Sequence, residues 1–176
     1  MTTKINWNEF NKMPYDTFMW EGIDGTRVLT HFIPTRDYHE QGRAGRTNFF
    51  TTYNGDINPS QIMGGWKRYS QKYLNHEVLN SFGHGDGGGG ATKEMLENQR
   101  RLSAGLPGCP KTKMSTAADF FRVLEKNVKE HKYLPSWVGE LYLEYHRGTY
   151  TSMARNKKYN RKSEFAYQNL ETYGLM

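Results

Sequence analysis

Apolar residues recur along this chain in two rhythms, and the switches between them mark out short strands and helices. In FMWEGIDGTRVLTHFI, Phe18 to Ile33, two apolar runs flank Ile23-Asp24-Gly25-Thr26. Asp-Gly tolerates the positive φ of a tight turn, so the stretch predicts a β-hairpin, stopped by Pro34. Ahead of it, Asn6 to Met13 is polar-aromatic, a helix end or loop closed by Pro14. Arg36 to Asn58 is polar, carries Gly42, Gly45 and Gly55, and has the length of a functional loop or of one ordered by a neighbour.

Pro59-Ser60 opens a helix in which Ile62, Met63, Trp66, Tyr69, Tyr73 and Leu74 recur at three- and four-residue spacing. Glu77 to Phe82 predicts a short strand. Thr92 is the expected N-cap of a second helix, with Met95, Leu96, Gln99 and Leu102 on one face, broken by Leu106-Pro-Gly-Cys-Pro110. Ser115 is the expected cap of a third, whose buried stripe is Phe120, Phe121, Leu124 and Val128. Pro135 to Tyr145 alternates like a strand, and Arg155 to Tyr173 reads as a polar helix. Strands alternating with helices predict an α/β fold with parallel strands.

Composition narrows the class. The chain has 176 residues, enough for one ordinary domain, but only 36% are apolar, and its mean hydropathy is -0.87. An aromatic share of 14% argues against disorder. Many rings and few aliphatics suit a sugar-handling surface, or a piece of a larger protein. Twenty-four Lys and Arg against 18 Asp and Glu give +6, with the dense cluster at Arg155-Asn-Lys-Lys-Tyr-Asn-Arg-Lys162. Nucleic-acid binding needs such charge gathered on one face; here a solvated helix face or an interdomain contact is expected instead, with no nucleic-acid partner.

Cys109 is the single cysteine, so no internal disulfide can form. MTTKINWNEF lacks the apolar run of a secretory signal, and no stretch approaches the about eighteen apolar residues of a membrane span. A soluble, cytoplasmic protein without a membrane partner is the expectation.

The most pointed chemistry lies in FGHGDGGGG, Phe82 to Gly90, where Asp86 stands among glycines before a helix. Gly83-x-Gly85-x-x-Gly88 fits the dinucleotide-binding spacing, which would cradle a pyrophosphate at a helix N-terminus. Against it, Asp86 would put negative charge inside the cradle, and Pro107 to Lys111 occupy the place of the ribose-binding acid. Lys93 lies beyond the glycines with no Ser or Thr after it, which excludes a Lys-Ser/Thr phosphate loop. The alternative makes Asp86 the working group, bared by small neighbours so that a bulky polar ligand can reach it. A plain turn in which the aspartate merely caps is the third option.

Three stretches resemble α-mannosidases of glycoside hydrolase family 38, especially the bacterial and fungal vacuolar-type branch. They are WNEFNKMPYDTFMWEGIDG (Trp7 to Gly25), FGHGDGGGG (Phe82 to Gly90), and LPSWVGELYLEYHRGTYTS (Leu134 to Ser152) followed by RNKKYNRKSE (Arg155 to Glu164). They stand in family order. Members of that family are several times longer, begin with a His-x-Asp metal pair, and carry an aspartate nucleophile upstream of the WNEFNK-like stretch. Those motifs have no match here. The resemblance therefore implies an internal fragment: residues 1–153 as the later half of a partial (β/α) barrel-like catalytic domain, and 154–176 as the first helix of the following bundle.

It further implies retaining hydrolysis of terminal α-linked mannose from oligosaccharides, through a covalent mannosyl-enzyme and two carboxyls about 5 Å apart. Asp86 falls at the acid/base position, where it must be protonated as the glycosidic oxygen leaves, its pKa raised by the nucleophile. A divalent ion, zinc, would be held by ligands outside this chain, so the isolated piece is expected to be inactive. His146, Arg147, Tyr150 and Ser152 are candidate sugar contacts beyond the last strand, His146 at the level where animal relatives stack an aromatic. His84 is a candidate supporting residue. His31, Trp20 and Trp137 are expected in the core. The expected partners are the α-mannoside substrate and the remainder of the parent chain; exposed strand edges favour self-association or disorder in the 36–58 loop.

Overall fold

The computed structural model describes residues 5, 8, 10–35, 54–85, 87–146 and 153–174. The hairpin forms as predicted. Strand β1 (Thr17–Glu21) pairs antiparallel with β2 (Arg27–His31), Thr17 opposite His31 and Glu21 opposite Arg27. Gly25 takes φ 80° in the turn. Asp24 fixes that turn by accepting from Thr26 N and Thr26 Oγ1, both at 2.9 Å, and these bonds hold its carboxyl below the usual range.

β3 (Ser136–Val138) lies on the other side of β1 and runs parallel to it, Trp20 opposite Trp137, giving the order β2-β1-β3. The described sheet is thus mixed, not all-parallel. Thr17 and Phe18 are adjacent and both fully buried, so the sheet is covered on both faces at this end.

Helix α1 (Pro59–Arg68) starts at Asn58, whose side chain accepts from Gln61 N at 2.9 Å. It does not extend to Leu74. Gln71 instead turns back to β1, its Oε1 accepting from Asp16 N (2.8 Å) and Thr17 N (2.6 Å) while its Nε2 donates to Thr17 O (3.0 Å). These bonds satisfy the Asp16 and Thr17 amides and the Thr17 carbonyl. Helix α2 (Lys93–Ala104) is capped by Thr92, as expected, and α3 (Ala117–Val128) by Thr116, one residue after the predicted Ser115.

Two predicted strands are not formed as read. Residues 77–81 make no strand, and Phe82 makes only an isolated parallel bridge to Gly55. Polar groups there pair with side chains: Thr35 Oγ1 donates to Asn80 Oδ1 at 2.6 Å. The strand expected over 135–145 ends at Val138, because Gly139 takes φ 136°, which leads the backbone off the ladder. Its carbonyl accepts from Trp20 Nε1 at 2.8 Å.

Among the described residues, apolar burial falls in three small clusters. Ile5, Phe18 and Phe32 form one, with Trp20 and Trp137, expected in the core, half-buried against it. Leu74, Phe120, Leu124 and Val128 form the second, and Ile57, Ile62 and Leu102 the third, with Phe82, Met95 and Cys109 against it. Burial pushes the Cys109 thiol up, so it behaves as a small apolar group.

The chain divides into two compact units, Met1–Leu141 and Tyr142–Met176. The second holds a 3-10 turn, Glu144–His146, and helix α4 (Ala154–Tyr173), none of whose described side chains is buried. The basic cluster lies on α4 and is exposed, with Arg161 paired to Glu164 and Arg155 and Lys162 over the Tyr159 ring at 5.8 and 5.9 Å. No described helix is long and apolar enough to cross a membrane. Most of the predicted 36–58 loop, residues 36–53, lies outside the described residues.

Candidate functional site

The glycine stretch folds into a tight loop closed at its base. His84 N donates to Gly89 O at 3.1 Å, and the two residues form an antiparallel bridge that leaves residues 85–88 between them. Gly87 and Gly88 both sit at φ 76°, a left-handed conformation that a side chain would strain. A Cβ on Gly89 would lie 2.7 Å from His84 Cβ, whereas one on Gly87, Gly88 or Gly90 would meet nothing within 4 Å. The base of the loop is therefore closely packed and its rim open. Asp86 itself lies outside the described residues; covalently it is the second of the four residues the bridge encloses.

A separate segment holds the loop. Gly55 bridges Phe82 and accepts from Gly83 N at 2.9 Å, and the backbones approach so closely that a Cβ on Gly55 would fall 2.2 Å from Ser81 O. The preceding residue, Asn54, reaches further up: its Oδ1 accepts a short hydrogen bond from Gly85 N. Apart from being followed by glycine, Asn54 carries no sequence signal of this contact, which joins positions 31 residues apart.

The strand–glycine loop–helix unit that a dinucleotide site requires is absent, since residues 77–81 form no strand. Nothing favours the nucleotide alternative. Among the described residues, no group of three or more His, Cys, Asp or Glu is placed to hold a metal ion.

The other candidates divide between the two units. His84 is exposed at the base of the loop, in the first. His146 ends the 3-10 turn in the second, exposed, its N donating to Leu143 O at 3.0 Å. Arg147, Tyr150 and Ser152 lie outside the described residues. His31 is a core residue, fully buried, with Nδ1 2.9 Å from Thr17 Oγ1 and its ring 4.9 Å from that of Phe120. Burial pushes its pKa down to about 4, so the ring is neutral at physiological pH.

Comparison with known proteins gives these features a context. The profile of the glycosyl hydrolases family 38 N-terminal domain matches residues 1–140. Alpha-mannosidase G of Dictyostelium discoideum is 42% identical over 164 residues, 93% of this chain and 13% of that protein. Alpha-mannosidase 2C1 of Mus musculus is 39% identical over 171 residues, 97% of this chain and 15% of its own. The alpha-mannosidase of Saccharomyces cerevisiae is 36% identical over 176 residues, again 97% and 15%. The chain thus spans about one-seventh of the length of these relatives, 13% to 15%. With four-fifths of its residues matched by the family profile, 1–140 of 176, the chain belongs to glycosyl hydrolase family 38.

Proposed function

We propose that this segment supplies the acid/base part of the active centre of an α-mannosidase, a retaining glycosidase that removes terminal α-linked mannose from oligosaccharides. One observation carries the reading: identity of 36% to 42% with proteins named α-mannosidases, over 93% to 97% of the chain. Within that frame Asp86, in the glycine stretch, is the general acid/base. Its carboxyl donates a proton to the glycosidic oxygen as the C1–O bond breaks and a second carboxylate, supplied by another part of the enzyme, bonds to C1. Asp86, now a carboxylate, then takes a proton from the water that displaces the enzyme from C1.

In the same proposal the open rim of the loop makes room for the leaving sugar, and His84 supports it from the base. His146, Arg147, Tyr150 and Ser152 contact the sugar hydroxyls. Residues 1–153 belong to a barrel-like catalytic domain and 154–176 begin a helical bundle. The enzyme works in the cytoplasm, and a divalent ion, zinc in this proposal, takes its ligands from parts of the enzyme outside this chain.

The test is Asp86→Asn in the complete enzyme that carries this segment. Methyl α-mannoside needs a proton on its leaving oxygen and 2,4-dinitrophenyl α-mannoside does not. kcat/KM should fall about 10²-fold or more on the first and change little on the second. Undiminished activity on methyl α-mannoside would remove Asp86 from the reaction.

A further inference from the structure

We infer that Asn54 is a positioning residue for the acid/base aspartate: its side-chain carbonyl holds the Gly85 amide, one peptide bond before Asp86, and so fixes how the loop presents that carboxyl. The inference rests on the assignment of Asp86 as acid/base.

A loop built largely of glycine has little conformational preference of its own. The His84–Gly89 bridge closes its base, but at Gly87 and Gly88 the Cβ positions face open space, so local packing there does not set the direction of the tip. The hydrogen bond from Gly85 N to Asn54 Oδ1 enters from a different part of the chain and takes hold above the bridge.

A positioning group must itself be fixed, and Asn54 is followed by the most closely fitted backbone in this region. Gly55 lies against Ser81 with no room for a Cβ and accepts from Gly83 N at 2.9 Å. Beyond it, Asp56 N donates to Gln61 Oε1 (2.7 Å), Asn58 Nδ2 to Asp56 Oδ2 (2.8 Å), and Gln61 N to Asn58 Oδ1 (2.9 Å). Gln61 is buried, and Ile57 packs with Ile62, Leu102 and Phe82. A continuous chain of contacts therefore runs from the N-terminus of α1 to Gly85, with Asn54 as its last member before the loop. Because proton transfer needs its partners within hydrogen-bond reach, loss of that last contact costs rate where the proton matters.

The experiment compares Asn54→Ala, Asn54→Asp and Asp86→Asn in the complete enzyme, reading kcat/KM on methyl and 2,4-dinitrophenyl α-mannosides. Asn54→Ala is expected to lose about tenfold to 10²-fold on the methyl glycoside and less than about twofold on the dinitrophenyl one. Asn54→Asp keeps an acceptor oxygen at the same reach and should restore most of the lost activity. If Asn54→Ala does not fold, Asn54→Gln, which displaces the acceptor by one carbon, takes its place with the same expected split. Should Asp86→Asn show the split while the Asn54 variants lose equally on both substrates, or lose nothing, the positioning role is overturned and the acid/base assignment stands. Should Asp86→Asn show no split, the acid/base assignment fails and the role of Asn54 fails with it.

Discussion

Gly89 and His84 stand so close that a methyl group on the glycine would sit 2.7 Å from the histidine Cβ, at the point where His84 N bonds Gly89 O at 3.1 Å. The glycines of this loop therefore differ in what they do. Some let two backbones meet, and others leave space. Gly89→Ala must push backbone against a side-chain stem and should cost about 1–3 kcal/mol. Gly90→Ala meets nothing within 4 Å and should stay within about 0.5 kcal/mol. Chemical unfolding of the two variants measures the difference; equal costs would contradict the described closure.

His31 couples stability to acidity. Its folded pKa is about 4 against an ordinary 6.5, and burial is the cause. Because the folded state resists protonation, the neutral ring's contribution is complete above pH 6.5 and is lost as pH falls toward 4, where the unfolded chain binds the extra proton. The loss over that window is on the order of 3 kcal/mol. Unfolding free energies of the wild type and His31→Phe at pH 7 and pH 4.5 should diverge in slope, with the steeper decline in the wild type.

Thr17 Oγ1 links two rings, lying 2.9 Å from His31 Nδ1 and 3.0 Å from Tyr69 Oη. Thr17→Val keeps the shape and removes the link, leaving both partners buried without it, at about 1–3 kcal/mol. Tyr69→Phe removes one of those partners, so the double variant should cost less than the two single costs added. Strict additivity would mean the bond carries no coupling.

How legible these features were in the sequence depended on how far apart the partners lie. The hairpin followed from Asp24-Gly25, whose turn chemistry is local, and so did the start of α2 at Thr92. The end of α1 did not, because Gln71 bonds to Thr17, 54 residues away. Periodicity continued to Leu74 while hydrogen bonding stopped the helix at Arg68. The alternation after Val138 likewise gave no warning that Gly139 would turn the backbone away from β1. In the candidate site, the presence of a glycine loop could be read from its run of glycines. The hold of Asn54 on Gly85 could not, since it rests on a fit between two loops.

The most direct test of the central claim is chemical trapping in the complete enzyme. On the proposed role of Asp86, Asp86→Ala leaves the mannosyl-enzyme without a base to activate water. With 2,4-dinitrophenyl α-mannoside, added azide should accelerate turnover and yield α-mannosyl azide, because an anion needs no base to attack C1. Turnover that ignores azide, with free mannose as the sole product at the wild-type rate, would contradict the role assigned to Asp86.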